Sequence, residues 1–188
     1  VESGVAATGA GSVLSFNDLN DAAYDESKRE ALSGKVGILV GRFDRIADKE
    51  IRLREPIMAP DALIIQDPTL LHQVDVFAGL KKDGYILINT NKSFDELGLG
   101  DFVRDWHHER LCTVSATDLS LKHVGRPVPN VPLLGGFAAA SGIIRLESVA
   151  KAIRDKFSGK VADGNIGAAT EAYEIVRREM EEARQAHA

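Results

Sequence analysis

The amino-acid sequence predicts an α/β fold in which helices pack on a largely parallel sheet. Three observations predict it. Short apolar runs rich in β-branched residues, at Ala62–Gln66, Tyr85–Ile88 and Leu111–Val114, alternate with segments of helical period, the pattern of β-α-β construction. The first two runs and the segment between them make one such unit of about 30 residues, which calls for parallel strands and a right-handed crossover. From Leu146 onward the chain carries two amphipathic helical patterns. No internal repeat or low-complexity linker interrupts it, so residues 1–188 are expected to form a single domain.

Taken in order, the first 35 residues are small and polar, with a short helix suggested around Asn17, Asp18 and Leu19. Val36 to Val40, bounded by Gly34 and Gly41, reads as a strand. Phe43–Ile46 and Glu50–Leu53 read as a hairpin or paired edge strands. Ala62–Ile65 is the next strand and ends in Gln66 and Asp67. Pro68 then opens a helix, where a missing N–H is harmless, and Leu70, Leu71, Val74, Phe77 and Leu80 form its buried face. Lys81 and Lys82 suit the end of that helix, and Gly84 suits a left-handed position there. Tyr85–Ile88 is a strand ending in Asn89, Thr90 and Asn91.

A short helix over Phe94–Leu99, a strand over Leu111–Val114 and a helix capped around Ser115–Asp118 follow. Pro127, Pro129 and Pro132 make a stiff connector that excludes helix. Leu133–Ser141, dense in glycine and alanine, predicts a helix packed closely on its neighbours and ended by Gly142. Amphipathic helices are expected over Leu146–Phe157 and from Gly164 to about Ala186.

Composition narrows the function classes. With 44% hydrophobic and 27% charged residues the chain has the mix of a globular protein. Its 23 basic and 28 acidic residues give a net charge of -5, which argues against nucleic acid or an anionic membrane as the main partner. One cysteine, Cys112, excludes an internal disulfide and any four-cysteine metal or iron–sulfur site within this sequence. Residues 1–11 show neither a basic n-region nor a long apolar run, and no stretch approaches the roughly 20 apolar residues of a membrane span. A cytoplasmic location with no membrane partner is the expectation.

Few residues look chemical. Gly9 and Gly11 resemble a remnant of a phosphate-cradling turn, but a third glycine and a preceding strand are missing. Asp67 and Asn89 lie at the carboxyl ends of adjacent parallel strands, the edge where ligands bind in open α/β sheets; the plainer reading is that they cap helices and turns. Trp106, His107 and His108 read as a surface loop. His72 and His123 have no carboxylate or second histidine at ligand spacing. Cys112, between Leu111 and Val114, reads as a small buried hydrophobe. No catalytic residue and no metal ligand is assigned.

Several segments together resemble the gamma subunit of pyruvate and other 2-oxoacid:ferredoxin oxidoreductases. They are Phe43–Ile46 through Arg52, Pro60–Leu71, Gly79–Thr90, Ala116–Asp118, Pro129–Ala138, Gly142–Ile144, Leu146–Glu147, and Asn165 ahead of Tyr173 and Glu174. The resemblance implies a three-layer α/β/α sandwich with a largely parallel central sheet. It implies membership of a complex that joins a 2-oxoacid to coenzyme A with loss of carbon dioxide and sends two electrons through iron–sulfur clusters to ferredoxin or another acceptor. Alpha, beta and delta-type subunits are then the partners. Thiamine diphosphate and the clusters belong to those partners; this chain alone holds no cofactor, assembles the complex and lies near the coenzyme A entrance. Gly9, Gly11, Asp67, Asn89 and Asn130 are its candidate cofactor-side positions.

The departures from the family lie at the N-terminus. A Gly-Arg-Gly-Gly-Gln-Gly-like turn is replaced by Ala6–Gly11, which keeps the last two glycines. A Glu-Arg-x-Gly-Ala-Pro segment is replaced by Gly34–Leu39, where Gly37 is kept. Two other readings compete: a free-standing nucleotide- or coenzyme A-binding module, and a purely structural spacer in the same complex.

Overall fold

The computed structural model describes residues 59–72 and 75–186. The expected N-terminal helix, the strand at Val36–Val40, the hairpin at 43–53, and Gly9 and Gly11 lie outside the described residues. Among the described residues three strands, β1 (Ala62–Ile65), β2 (Tyr85–Asn89) and β3 (Leu111–Val114), form a sheet in the order β1-β2-β3. Both pairings are parallel, with Ala62 opposite Tyr85 and Ile86 opposite Leu111. Ile86, Leu87 and Ile88 of the middle strand are fully buried, as a strand covered on both faces should be. Each contributes about 1.5–3 kcal/mol by burial.

Successive side chains of a strand point to opposite faces, and the two faces are covered differently. Leu87, Cys112 and Val114 face a core built with the helices that follow β3. Ile86, Ile88 and Leu111 face a second core with Leu71, Phe77, Leu80, Leu97, Val103 and Trp106, which come from short turns. Among the described residues the sheet is therefore covered on both sides, and one covering layer is made of turns and the four-residue helix Gly100–Val103.

Those turns correct two expectations. The helix expected after Pro68 is a 3-10 turn over Pro68–His72. The Asp75 carboxylate then accepts the Phe77 N–H at 3.2 Å, a local bond that competes with helix, and Gly79 takes φ +77°. Leu71, Phe77 and Leu80 of the expected face still pack on the sheet without helical geometry, and Val74 lies outside the described residues. Gly84 is not left-handed; it is needed because a Cβ there would lie 2.9 Å from the Lys81 carbonyl oxygen and 3.1 Å from that of Asp61. The helix expected over Phe94–Leu99 starts with a capping box, in which the Glu96 carboxylate accepts the Ser93 N–H at 2.8 Å. Gly98, at φ +74°, ends it after one turn, and the helix α1 is Gly100–Val103.

Beyond β3 the chain is helical: α2 (Ala116–Val124), α3 (Asn130–Ser141), α4 (Leu146–Lys156) and α5 (Gly159–Ala186). Gly125 and Gly142 end α2 and α3 in left-handed conformation. The proline connector does not exclude helix throughout. Pro129 is the N-cap of α3 and Pro132 lies in its first turn, where no N–H has an intrahelical partner, and the ladder begins with the Leu133 N–H on the Pro129 carbonyl.

Nine of the twelve residues of α3 are buried, so it is enclosed on all sides. Its closest neighbour is α5: a Cβ on Gly135 would fall on the Ala169 carbonyl. The helix α5 begins five residues before the expected Gly164. That glycine lies inside the helix because the His123 carbonyl oxygen approaches within 2.5 Å of where a Cβ would stand. At 28 residues this helix is about 42 Å long and passes α3, α4, α2 and the outer edge of β3.

Candidate functional site

The parallel strands bring the carboxyl ends of β1 and β2 beside the start of α2. Between them is an open cleft of about 390 Å³, lined by Gln66, Asp67, Pro68, Asn89, Thr90, Asn91, Ser115, Thr117 and Asp118. Two of the sequence-derived candidates, Asp67 and Asn89, meet there.

Asn89 ties the three elements together. Its Nδ2 donates to the Gln66 carbonyl at 2.8 Å and to the Thr117 hydroxyl at 2.9 Å, and its Oδ1 accepts the Thr117 N–H at 3.2 Å. The cap of α2 thus comes from the neighbouring strand. Ser115, expected to provide it, is the N-cap residue but makes no side-chain capping bond. Asp67 Oδ1 accepts the Thr69 hydroxyl at 2.7 Å and the Thr69 N–H at 3.0 Å. Those two donors, the hydroxyl first, hold its exposed carboxyl below the usual aspartate range. Thr90 N–H donates to the carbonyls of Ile88 and Val114 at 3.0 and 3.1 Å, which closes the end of the sheet.

This arrangement offers three hydroxyls, three side-chain amides, two carboxylates and the amino end of a helix. Among the described residues that line it there is no lysine, arginine, histidine or cysteine. The helix end favours negative charge, while Asp67 and Asp118 repel it, so the cleft suits a neutral hydrogen-bonding group better than a phosphate. No nucleophile paired with a base occurs among its described lining residues. Asn130 is exposed at the first turn of α3 and does not line the cleft.

The remaining polar residues fall elsewhere. Trp106 Nε1 donates to the Gly84 carbonyl at 3.0 Å, while His107 is exposed and His108 half-buried in the turn before β3. Cys112 is fully buried in β3, and burial, reinforced by the negative charge of Glu179, pushes its thiol far above the ordinary range. His123 gains a carboxylate partner that spacing did not reveal: its Nε2 lies 2.6 Å from Glu171 Oε2, and Lys122 Nζ lies 2.7 Å from both Glu171 oxygens. Lys122 first, then His123, hold the Glu171 carboxyl below its ordinary value. The signal existed in part, because two adjacent basic residues at the end of α2 call for an acidic neighbour. No group of three or more metal-ligating side chains occurs among the described residues, and no described helix is long and apolar enough to cross a membrane.

Comparison with known proteins places this geometry in a family. The family model described as pyruvate ferredoxin/flavodoxin oxidoreductase matches residues 31–175. The common gamma subunit of the pyruvate/ketoisovalerate oxidoreductases of Pyrococcus abyssi is 40% identical over 88% of this chain and 91% of that protein. Pyruvate synthase subunit PorC of Methanocaldococcus jannaschii is 45% identical over 73% of this chain and 71% of that protein. The crystal structure of pyruvate oxidoreductase subunit PORC of Thermotoga maritima superposes with a TM-score of 0.54 at 33% identity. That superposition covers 63% of this chain and 65% of the other, just under two thirds of its length. The chain belongs to the pyruvate ferredoxin/flavodoxin oxidoreductase family, on its gamma-subunit branch.

Proposed function

We propose that this chain is the non-catalytic gamma subunit of a complex that oxidatively decarboxylates a 2-oxoacid to an acyl-coenzyme A and passes the two electrons to ferredoxin or a related acceptor. The observation that carries the proposal is the continuous likeness to gamma subunits across most of the chain. In this reading thiamine diphosphate and the iron–sulfur clusters belong to alpha, beta and delta-type partners, and residues 1–188 act as one unit in the cytoplasm. The gamma subunit of the Pyrococcus relative is named as common to pyruvate and ketoisovalerate oxidoreductases, which supports placing the choice of 2-oxoacid on the partners.

Asp67 and Asn89 are the candidate cofactor-side residues that share a cleft. Of coenzyme A, that cleft suits the amide-bearing arm rather than the phosphates, because among the described residues carboxylates line it and no cation does. Asn130 remains a candidate away from it, and Gly9 and Gly11 remain candidates outside the described residues. Copurification from the native source tests assembly: recovery with thiamine-enzyme and iron–sulfur subunits is expected, and recovery as a lone monomer refutes the proposal. In the assembled complex, Asp67→Asn should raise the KM for coenzyme A with assembly intact. Unchanged kinetics would leave this chain as a spacer. Calorimetry of the isolated chain with coenzyme A should show no binding of the kind a free-standing nucleotide module requires.

A further inference from the structure

Among the described residues β3 is the outer strand of the sheet, and an outer strand exposes a row of backbone donors and acceptors on which another chain can build. In a parallel ladder the N–H and C=O groups of alternate residues point to opposite sides. The Val114 carbonyl accepts the Thr90 N–H on the β2 side, so Leu111 and Thr113 present their groups outward. Both outward donors are already taken. The Leu111 N–H donates to the His108 carbonyl of the preceding 3-10 turn. The Thr113 N–H donates to Glu179 Oε2 at 3.0 Å, and the Thr113 hydroxyl lies 3.4 Å from Glu179 Oε1.

Glu179 reaches that edge from α5, 66 residues away in sequence. Its environment is costly for a carboxylate: burial, with some help from the charge of Glu182, raises its carboxyl above the ordinary range, against the donors of Thr113. An apolar side chain would be cheaper at this half-buried position if the task were packing alone. A carboxylate supplies what packing cannot, a fixed acceptor on the one outward donor that the local turn does not reach.

We propose that Glu179 is a latch that closes the outer edge of β3 against strand addition by a second copy of this chain. With Leu111 held by its own turn and Thr113 held by Glu179, an incoming strand finds no donor until α5 is displaced.

The test uses the full chain, with amide hydrogen exchange read at Thr113 and oligomeric state read by light scattering over a range of concentration. Glu179→Ala should speed exchange at Thr113 about tenfold at low concentration and add a concentration-dependent association that wild type lacks. Glu179→Gln keeps an acceptor oxygen and should match wild type in both. Unchanged exchange in E179A overturns the proposal, as does faster exchange without added association, or association in E179Q equal to that in E179A. Should E179A fail to fold, wild type itself decides with E179Q: an unprotected Thr113 amide in either refutes the latch, and protection in both supports it.

Discussion

Replacing Gly135 by alanine adds one methyl group at the tightest point of the helical layer. The new Cβ would fall on the Ala169 carbonyl, which is backbone within α5 and has no rotamer to change. Real contacts of this kind do not close below 3.0 Å, so α3 and α5 must separate by about 1 Å along their closest approach. Overpacking of this type costs about 3 kcal/mol, and the better helix propensity of alanine returns about 1. The net loss is about 2 kcal/mol, or about 4–8 °C in melting temperature for a chain of this size. Gly136→Ala is the control. Its Cβ would meet methyl groups of Leu87 and Val176 at 3.2 Å, which can yield, so its stability should stay within about 1 kcal/mol of wild type. Urea unfolding of the full chain followed by circular dichroism measures both. G135A as stable as wild type, or more stable than it, would refute the claim that glycine is there to let the two backbones meet.

Asn89→Ala removes the cap of α2 and the link to Gln66 together and should cost about 2 kcal/mol in the same urea assay, whereas loss of a merely surface amide would cost less than 0.5. Glu171→Gln should lower stability near neutral pH by under about 1 kcal/mol, since the group is partly exposed. Because Lys122 and His123 lower the folded-state value of that carboxyl, its contribution is present above the unfolded-state value and lost as pH falls through the folded one. Unfolding measured across that acid range should therefore show wild type and E171Q converging. Cys112 should react with a thiol-specific disulfide reagent only as fast as the chain unfolds, because the thiol is fully buried and held protonated; a rapid reaction in native conditions would contradict its placement.

What the sequence reveals follows from range. The strands at Ala62, Tyr85 and Leu111, the small-residue helix and the burial of Cys112 are written in runs of neighbouring residues, and periodicity reads them directly. The segment after Pro68 has helical spacing of leucine and phenylalanine, yet Asp75 and Gly79 break the backbone pattern while the apolar side chains still find the sheet. Spacing picks out Leu71, Phe77 and Leu80, which pack half-buried on the sheet, and misses Val76 beside them; a local Asx bond decides whether such residues pack as a helix. Pro132 misleads in the opposite way, because a proline is harmless in a first turn and the start of α3 is not marked by an ordinary cap. In the candidate site, Asp67 and Asn89 were legible from their places at strand ends. The pairings of Glu171 with His123 and of Glu179 with Thr113 were not, since they join residues 48 and 66 positions apart and depend on where a long helix comes to rest.

Asn89 has a consequence for the fidelity of folding. Side chains alternate along a strand, so a slip of β2 by one residue against its neighbours would turn Asn89 away from Gln66 and Thr117 and offer them an isoleucine or a threonine. All three of its hydrogen bonds would fail at once. The flanking residues Ile86, Leu87 and Ile88 are nearly interchangeable in size and would tolerate such a slip far better. A single amide therefore acts as the proofreader of alignment in a strand whose apolar residues cannot tell one register from the next.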